Sequence, residues 1–152
     1  MPERNLAPVL SKVCTGRVFE FGCGYGRLAH IFDPANYVGY DINPIAVKTA
    51  RQKNPKYTFT TESWPQADTV LAHTVMLHIP DDDMGELVGR LKQYKRIVIG
   101  EVMGRNRRRT GNPPVFNRDA SEYEAAIGSK AEIHLVPYPR YSTNLIVMVF
   151  NP

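Results

Sequence analysis

Short apolar runs alternate along the chain with segments whose apolar residues recur at helical spacing. RVFEF at 17–21 predicts a buried strand, and GRLAHIF at 26–32 the start of a helix. YVGYD at 37–41 predicts a second strand, followed by a helix from Pro44 to about Gln52. Asn43 before Pro44 is a good N-cap, with proline at the first helical position. KYTFT at 56–60 and DTVLAH at 68–73 read as the third and fourth strands. Met84, Leu87, Val88 and Leu91 keep helical spacing and predict a helix over 83–94. RIVIGEV at 96–102 is a fifth strand, and 103–118 a long irregular loop. Residues 119–127 read as a helix with Tyr123, Ala126 and Ile127 on its apolar face. AEIHLVP at 131–137 and NLIVMVF at 144–150 complete the pattern as two strands joined by a turn.

Strand–helix alternation of this kind predicts a parallel sheet with helices on its faces. The connection between the last two strands is too short for a helical crossover, so they should be antiparallel. The expected fold is therefore α/β: a doubly wound, mostly parallel seven-stranded sheet with an antiparallel C-terminal hairpin, in one domain over 1–152. The link at 61–67 leaves little room for a helix between the third and fourth strands. Only about 15 residues precede the first strand, so no N-terminal substrate domain is expected.

Composition narrows the function class. A chain of 152 residues with 43% hydrophobic and 22% charged residues is an ordinary globular domain. No apolar run approaches the roughly 20 residues that span a bilayer, and MPERNLAPVLSKV lacks a signal-peptide core. Cys14 and Cys23 form neither a metal-ligand pattern nor a disulfide framework, which points to a reduced, cytoplasmic setting. The net charge is +4, but setting aside Arg105, Arg107, Arg108 and Arg109 leaves 15 basic against 15 acidic residues. The basicity thus belongs to one loop. It reads as an anion-binding loop for a substrate or a nucleic-acid phosphate, or as a solvated surface loop.

The chemistry should sit where the first strand runs into E-F-G-C-G-Y-G-R, Glu20 to Arg27. Glycines at 22, 24 and 26 let the backbone pass close to a ligand and turn sharply into the next element. The amides of a helix starting there would face the ligand. Gly24, Gly26 and Ala29 also fit the G-x-G-x-x-A of dinucleotide-binding folds. Asp41 ends the second strand, at the carboxyl edge where open α/β sheets bind ligands. A carboxylate there accepts both ribose hydroxyls of a nucleoside, or caps the following helix, a role that Asn43 fills better.

VFEFGCGYGRLAHIF followed by YVGYDINPIAVKTARQKNP resembles the first two motifs of class I S-adenosylmethionine-dependent methyltransferases. TESWPQADTVLAHTVMLHIPDDD resembles their third and fourth motifs, and RIVIGEV the fifth, so the likeness spans about 16–102 in order. The resemblance implies S-adenosylmethionine as cofactor and transfer of its methyl group. It implies that Glu20 holds the cofactor's ammonium, that Gly22, Gly24 and Gly26 give it room, and that Arg27 borders it. It implies further that Asp41 binds the ribose and that Ile42 packs on adenine. Glu62 would meet the adenine amino group, with Ser63 and Trp64 flanking that pocket; a plain core tryptophan fits Trp64 equally. Ala72 and His73 would lie near the transferable methyl.

Methyl transfer demands a base only if the acceptor must lose a proton. His73 and His78 are the candidates by position, although residues five apart on a helix-like segment share no face well. His78 also reads as packing beneath the Ile79-Pro80-Asp81 turn, and His30 and His134 as structural. The fourth motif lacks the Asn/Asp-Pro-Pro-aromatic signature of amino-methylating nucleic-acid enzymes, and no Pro-Cys pair is present. A small-molecule acceptor is therefore favoured over a DNA base, with nucleic acid or an acidic protein reached through the Arg105–Arg109 loop as alternatives. A non-methylating enzyme using the same cofactor, a non-catalytic cofactor-binding protein and a nicotinamide-dependent oxidoreductase are the competing readings. No membrane association and no metal are expected.

Overall fold

The computed structural model describes residues 3–104, 110–139 and 143–152. Its elements are α1 (Glu3–Val13), β1 (Val18–Phe21), β2 (Tyr37–Tyr40), α2 (Pro44–Lys53), β3 (Thr58–Thr60) and β4 (Thr69–His73). They are followed by α3 (Asp81–Leu91), β5 (Arg96–Glu101), α4 (Ala120–Ile127), β6 (Glu132–Tyr138) and β7 (Thr143–Phe150). The strands form one seven-stranded sheet in the order β3-β2-β1-β4-β5-β7-β6. β7 runs antiparallel to both β5 and β6, while all other pairs are parallel. This is the doubly wound sheet with an antiparallel C-terminal hairpin that the sequence pattern predicts.

Two apolar layers cover the sheet. On one face Leu6, Leu10 and Val13 of α1 join Val47, Phe59, Leu71, Val98 and Val147. On the other, Met84, Leu87, Val88 and Leu91 of α3 and Tyr123 and Ile127 of α4 pack on Phe19, Val70, Ile97, Ile99 and Phe150. At roughly 25 cal/mol per Å² of apolar surface removed from water, these layers supply most of the stabilisation.

The helices follow their local signals with three departures. Asn43 caps α2 as expected, its side-chain oxygen accepting from Ile45 N at 3.0 Å and Ala46 N at 3.4 Å. α3 begins at Asp81 rather than Asp83, because Asp81, Asp82 and Asp83 sit favourably in a first turn directly after Pro80. α1 was not foreseen; its signal was the 6, 10, 13 spacing of buried residues, masked by Pro8 within the helix. The third departure matters for the site. GRLAHIF is not an α-helix but a series of turns with a 3-10 segment at Ala29–Ile31. Gly26 has φ +77, and Pro34 disfavours helix in the residue before it, so the stretch between has no room for an α-helix.

No helix lies in the 61–67 link, and Trp64 fills its place. The indole packs 5.3 Å from the Phe19 ring and 5.0 Å from Phe21, with the Arg90 guanidinium 3.7 Å above it. Tyr94 OH donates to Pro65 O at 2.7 Å and pins the link. Among the described residues no helix is long and apolar enough to cross a membrane, and no group of three or more His, Cys, Asp or Glu could hold a metal.

Candidate functional site

At the carboxyl edge of the sheet the β1–β2 connection opens a cleft of about 550 Å3, within the range of small-molecule sites. Its walls are Glu20, residues 22–28, Lys53, Asn54, His73 and Thr74. The three glycines serve different ends. A side chain at Gly22 would meet Val75 Cγ2 at 2.5 Å, and one at Gly26 would meet Asn54 Nδ2 at 2.8 Å, so both positions are closed by protein. A Cβ at Gly24 would meet nothing within 4 Å; there the missing side chain leaves open space.

The amides of this turn are largely committed internally. Gly22 N and Cys23 N donate to Tyr40 O, and Gly26 N donates to Cys23 O. Gly24 N donates to Asp41 Oδ2 at 2.9 Å, while Asn43 N donates to Asp41 Oδ1 at 2.9 Å. Asp41 therefore ties the glycine turn to the end of β2 and holds its carboxylate fixed. Each oxygen retains a lone pair for a further donor. No α-helix lies between β1 and β2, so none starts from the glycine turn, and among the described residues lining the cleft Arg27 and Lys53 bring positive charge.

Glu20 is 3% exposed and accepts a 2.5 Å hydrogen bond from Tyr37 OH. Burial pushes its carboxyl up to about 7, opposed by the Tyr37 bond and by the nearby Arg27 charge. Burial likewise raises the Cys23 thiol, which leaves it inert.

Glu20 pairs in register with Leu71, and His73 follows two residues on, on the same face of the sheet. His73 is 5% exposed, and burial, then the Arg27 charge, depresses it to about 3, so its ring is neutral. The ring lies against Gly100 of β5, where a Cβ would stand 2.7 Å from Nδ1. That Nδ1 is buried without a hydrogen-bond partner. Thr74 next to it has φ +52, unusual for a β-branched residue, and its N–H donates to Gly100 O at 2.8 Å.

A second buried polar group fastens the neighbouring segment. Arg118, 6% exposed, donates to Met76 O, Ile79 O and Asp81 Oδ1. Glu101 accepts from Leu77 N at 3.0 Å and from Tyr123 OH at 2.6 Å. Phe116 N donates to Leu77 O, and His78 Nδ1 lies 2.9 Å from Pro114 O. Residues 114–118, which lead into α4, are thus clamped onto the segment between β4 and α3.

The structure brings Glu20, Gly22, Gly24, Gly26, Arg27 and His73 around one cleft, with Asp41 bonded to it. Ile42 lies beyond it, 83% exposed. Glu62 is exposed past β3, and Ala72 is fully buried beneath the edge. Ser63 and Trp64 line a different hollow, with Arg90 and Tyr94 on the other face of the sheet. His78 is separated from His73 and engaged by the Pro114 carbonyl. Arg105, Arg107, Arg108 and Arg109 lie outside the described residues. Sequence reading missed Tyr37, Thr74, Glu101 and Arg118. Only the lone buried-strand acid Glu101 carried any signal, since a charge inside RIVIGEV requires partners.

A family model described as a methyltransferase domain matches residues 19–96. Among solved structures, magnesium protoporphyrin IX methyltransferase (ChlM) from Synechocystis, with S-adenosylmethionine bound, is 18% identical. The match covers 97% of this chain and 79% of that one with a TM-score of 0.74. N-methyltransferase NodS from Bradyrhizobium japonicum is 16% identical, covering 99% and 94% with a TM-score of 0.74. Human N-acetylserotonin methyltransferase, also in complex with the cofactor, is 19% identical, covering 95% and 50% with a TM-score of 0.68. At these identities the likeness is one of fold. No curated protein matches the sequence.

Proposed function

The chain belongs to the methyltransferase-domain family and catalyses S-adenosylmethionine-dependent methyl transfer; from that premise we propose that the glycine cleft holds the cofactor and that the acceptor is a small molecule. The observation that carries the cofactor assignment is the Asp41–Gly24 bond, which fixes a carboxylate beside the one glycine whose missing side chain leaves open space.

The residues fit the group. Glu20 and Arg27 border one cleft and match the ammonium and carboxylate of an amino-acid arm. Asp41 retains lone pairs for two ribose hydroxyls, and the exposed Ile42 offers apolar surface to adenine. Glu62 takes the adenine amino group, Ala72 backs the edge, and Ser63 and Trp64 act by holding the 61–67 link. When bound, the cofactor supplies a sulfonium methyl that is already electrophilic. What the chain must add is positioning, which contributes up to roughly 7–11 kcal/mol for well-oriented partners. The Glu101–Tyr123 and Arg118–Asp81 bonds serve that end, because they fix the wall beside His73 and Thr74.

The acceptor reading draws on relatives named for protoporphyrin IX and N-acetylserotonin, both small molecules. Arg105, Arg107, Arg108 and Arg109 follow β5 in sequence and are assigned to an anionic group on the acceptor. His78 is assigned a positioning role through Pro114. All 152 residues are read as one domain, and the buried, unpaired thiols of Cys14 and Cys23 favour a cytoplasmic setting.

Titration calorimetry with S-adenosylmethionine and S-adenosylhomocysteine tests the assignment. Micromolar binding is expected, weakened at least about tenfold by Asp41→Ala, which removes charge-assisted bonds. Failure of the folded wild-type protein to bind either ligand would overturn it.

A further inference from the structure

His73 carries an observation that the cofactor assignment leaves unexplained. Its ring is almost wholly buried, yet Nδ1 has no hydrogen-bond partner and faces Gly100 from the side where a Cβ would stand only 2.7 Å away. Of the two nitrogens of a neutral imidazole, one bears the proton and the other a lone pair. A buried N–H without an acceptor is rarer than an under-satisfied acceptor. Moreover, a lone pair tolerates the C–H of a glycine as a weak partner, whereas an N–H would drive hydrogen against hydrogen. Gly100 therefore selects the ring form in which Nδ1 is bare. The proton then sits on Nε2, on the part of the ring left to face the cleft.

What lies in that cleft defines what the donor meets. Glu20 stands two residues back in register on the same face, and Arg27, which borders the same cleft, acts on the electrostatics of both Glu20 and His73. A carboxylate drawn to Arg27 would lie within the reach of a His73 donor. The turn itself is poor in free amides, since those of residues 22, 23, 24 and 26 are bonded internally. With no helix N-terminus at this position, side-chain donors must replace it.

We propose that His73 is locked by Gly100 as the Nε2–H form and serves as a fixed neutral donor to the carboxylate of the cofactor's amino-acid arm, not as a base. This rests on the reading of the cleft as the cofactor site. It is a positioning role: the bond orients the arm from which the methyl group projects. It also bears on the acceptor, whose attacking atom must bring a free lone pair or release its proton to solvent.

Two ligands that differ only in the amino-acid arm separate this role from packing. S-adenosylhomocysteine has the arm, and 5′-methylthioadenosine has the same nucleoside and thioether without it. For His73→Phe, calorimetry should show S-adenosylhomocysteine weakened roughly tenfold or more, as for loss of a bond to a charged group, with 5′-methylthioadenosine held within about twofold. His73→Gln, which places an amide N–H near the Nε2 position, should recover most of the loss. Equal weakening of both ligands would mean that the ring only packs, and no weakening of either would mean that the donor has no partner; each overturns the proposal. If the wild-type protein binds neither ligand, the cofactor-site reading itself fails. The lock is read independently from 15N-histidine spectra of the ligand-free protein, with His73 assigned by its loss in His73→Gln. The Nε2–H pattern should persist unchanged down to about pH 5.5. A protonated Nδ1, or titration with a midpoint near the usual value of about 6.5, would refute it.

Discussion

Replacing Tyr37 by Phe removes one hydroxyl from beneath the cleft and should move the pH dependence of cofactor binding. Glu20 is buried and raised to about 7, mainly by desolvation, with the Tyr37 bond holding it down. Its folded value lies above its unfolded one, so the native state holds the proton over a range where the unfolded chain has lost it. Stability from this group is therefore greatest below about pH 4.5 and declines as pH rises to about 7, by about 3 kcal/mol in all. Binding runs in the opposite sense. An ammonium requires the carboxylate, so below pH 7 the ligand must expel a proton, and affinity should fall nearly tenfold for each unit of acidification. Loss of a hydrogen bond to a charged acceptor is worth about 1.5–3 kcal/mol, which shifts the Glu20 midpoint upward by about 1–2 units in Tyr37→Phe. Calorimetry with S-adenosylhomocysteine from about pH 5.5 to 8, in buffers of different ionisation enthalpy, counts the released protons directly. Wild-type protein should release close to one proton at the acid end and about a tenth of one at pH 8, where the variant should still release about half a proton or more. Affinity that is flat with pH in both proteins would refute the link between Glu20 and the ligand's ammonium.

Other substitutions separate the cleft from its supports. Gly22→Ala places a methyl 2.5 Å from Val75 Cγ2 at φ +75, and should cost at least about 2 kcal/mol in urea unfolding. Gly24→Ala should cost only about 1–2 kcal/mol of stability, yet weaken S-adenosylhomocysteine because its methyl enters open space at the cleft. Arg118→Ala strips donors from Met76 O, Ile79 O and Asp81, and should cost about 3–5 kcal/mol; Arg118→Lys, with no planar fork, should restore little. Trp64→Ala should lower the melting temperature while leaving S-adenosylhomocysteine affinity within about threefold, since the indole packs on the opposite face; a larger loss would place it at the ligand.

The seven strands and the hairpin direction were legible because each rests on a local quantity, the run of apolar residues and the length of the connection. The helix expected after β1 was not, because glycines at φ +75, +53 and +77 and the Pro34 stop act together over a dozen residues that otherwise carry helical spacing. Glu20, Asp41 and the glycines were legible since a ligand turn needs those residue types at those intervals. Tyr37 and Gly100 were silent in sequence: a tyrosine in an apolar strand and a glycine in RIVIGEV look like packing. Only the register of β1 on β2 and of β4 on β5 puts them against Glu20 and His73. Trp64 was ambiguous because both a ligand wall and a helix substitute demand a large flat ring after β3.

The most direct test of the cofactor site is amide chemical-shift mapping during titration with S-adenosylhomocysteine. The account predicts saturable shifts concentrated at residues 20–28, at Asp41 and Ile42, and at His73 and Thr74. Shifts centred instead on residues 63–68 and 90–95, around the Trp64 hollow, or no shifts in a folded protein, would contradict it.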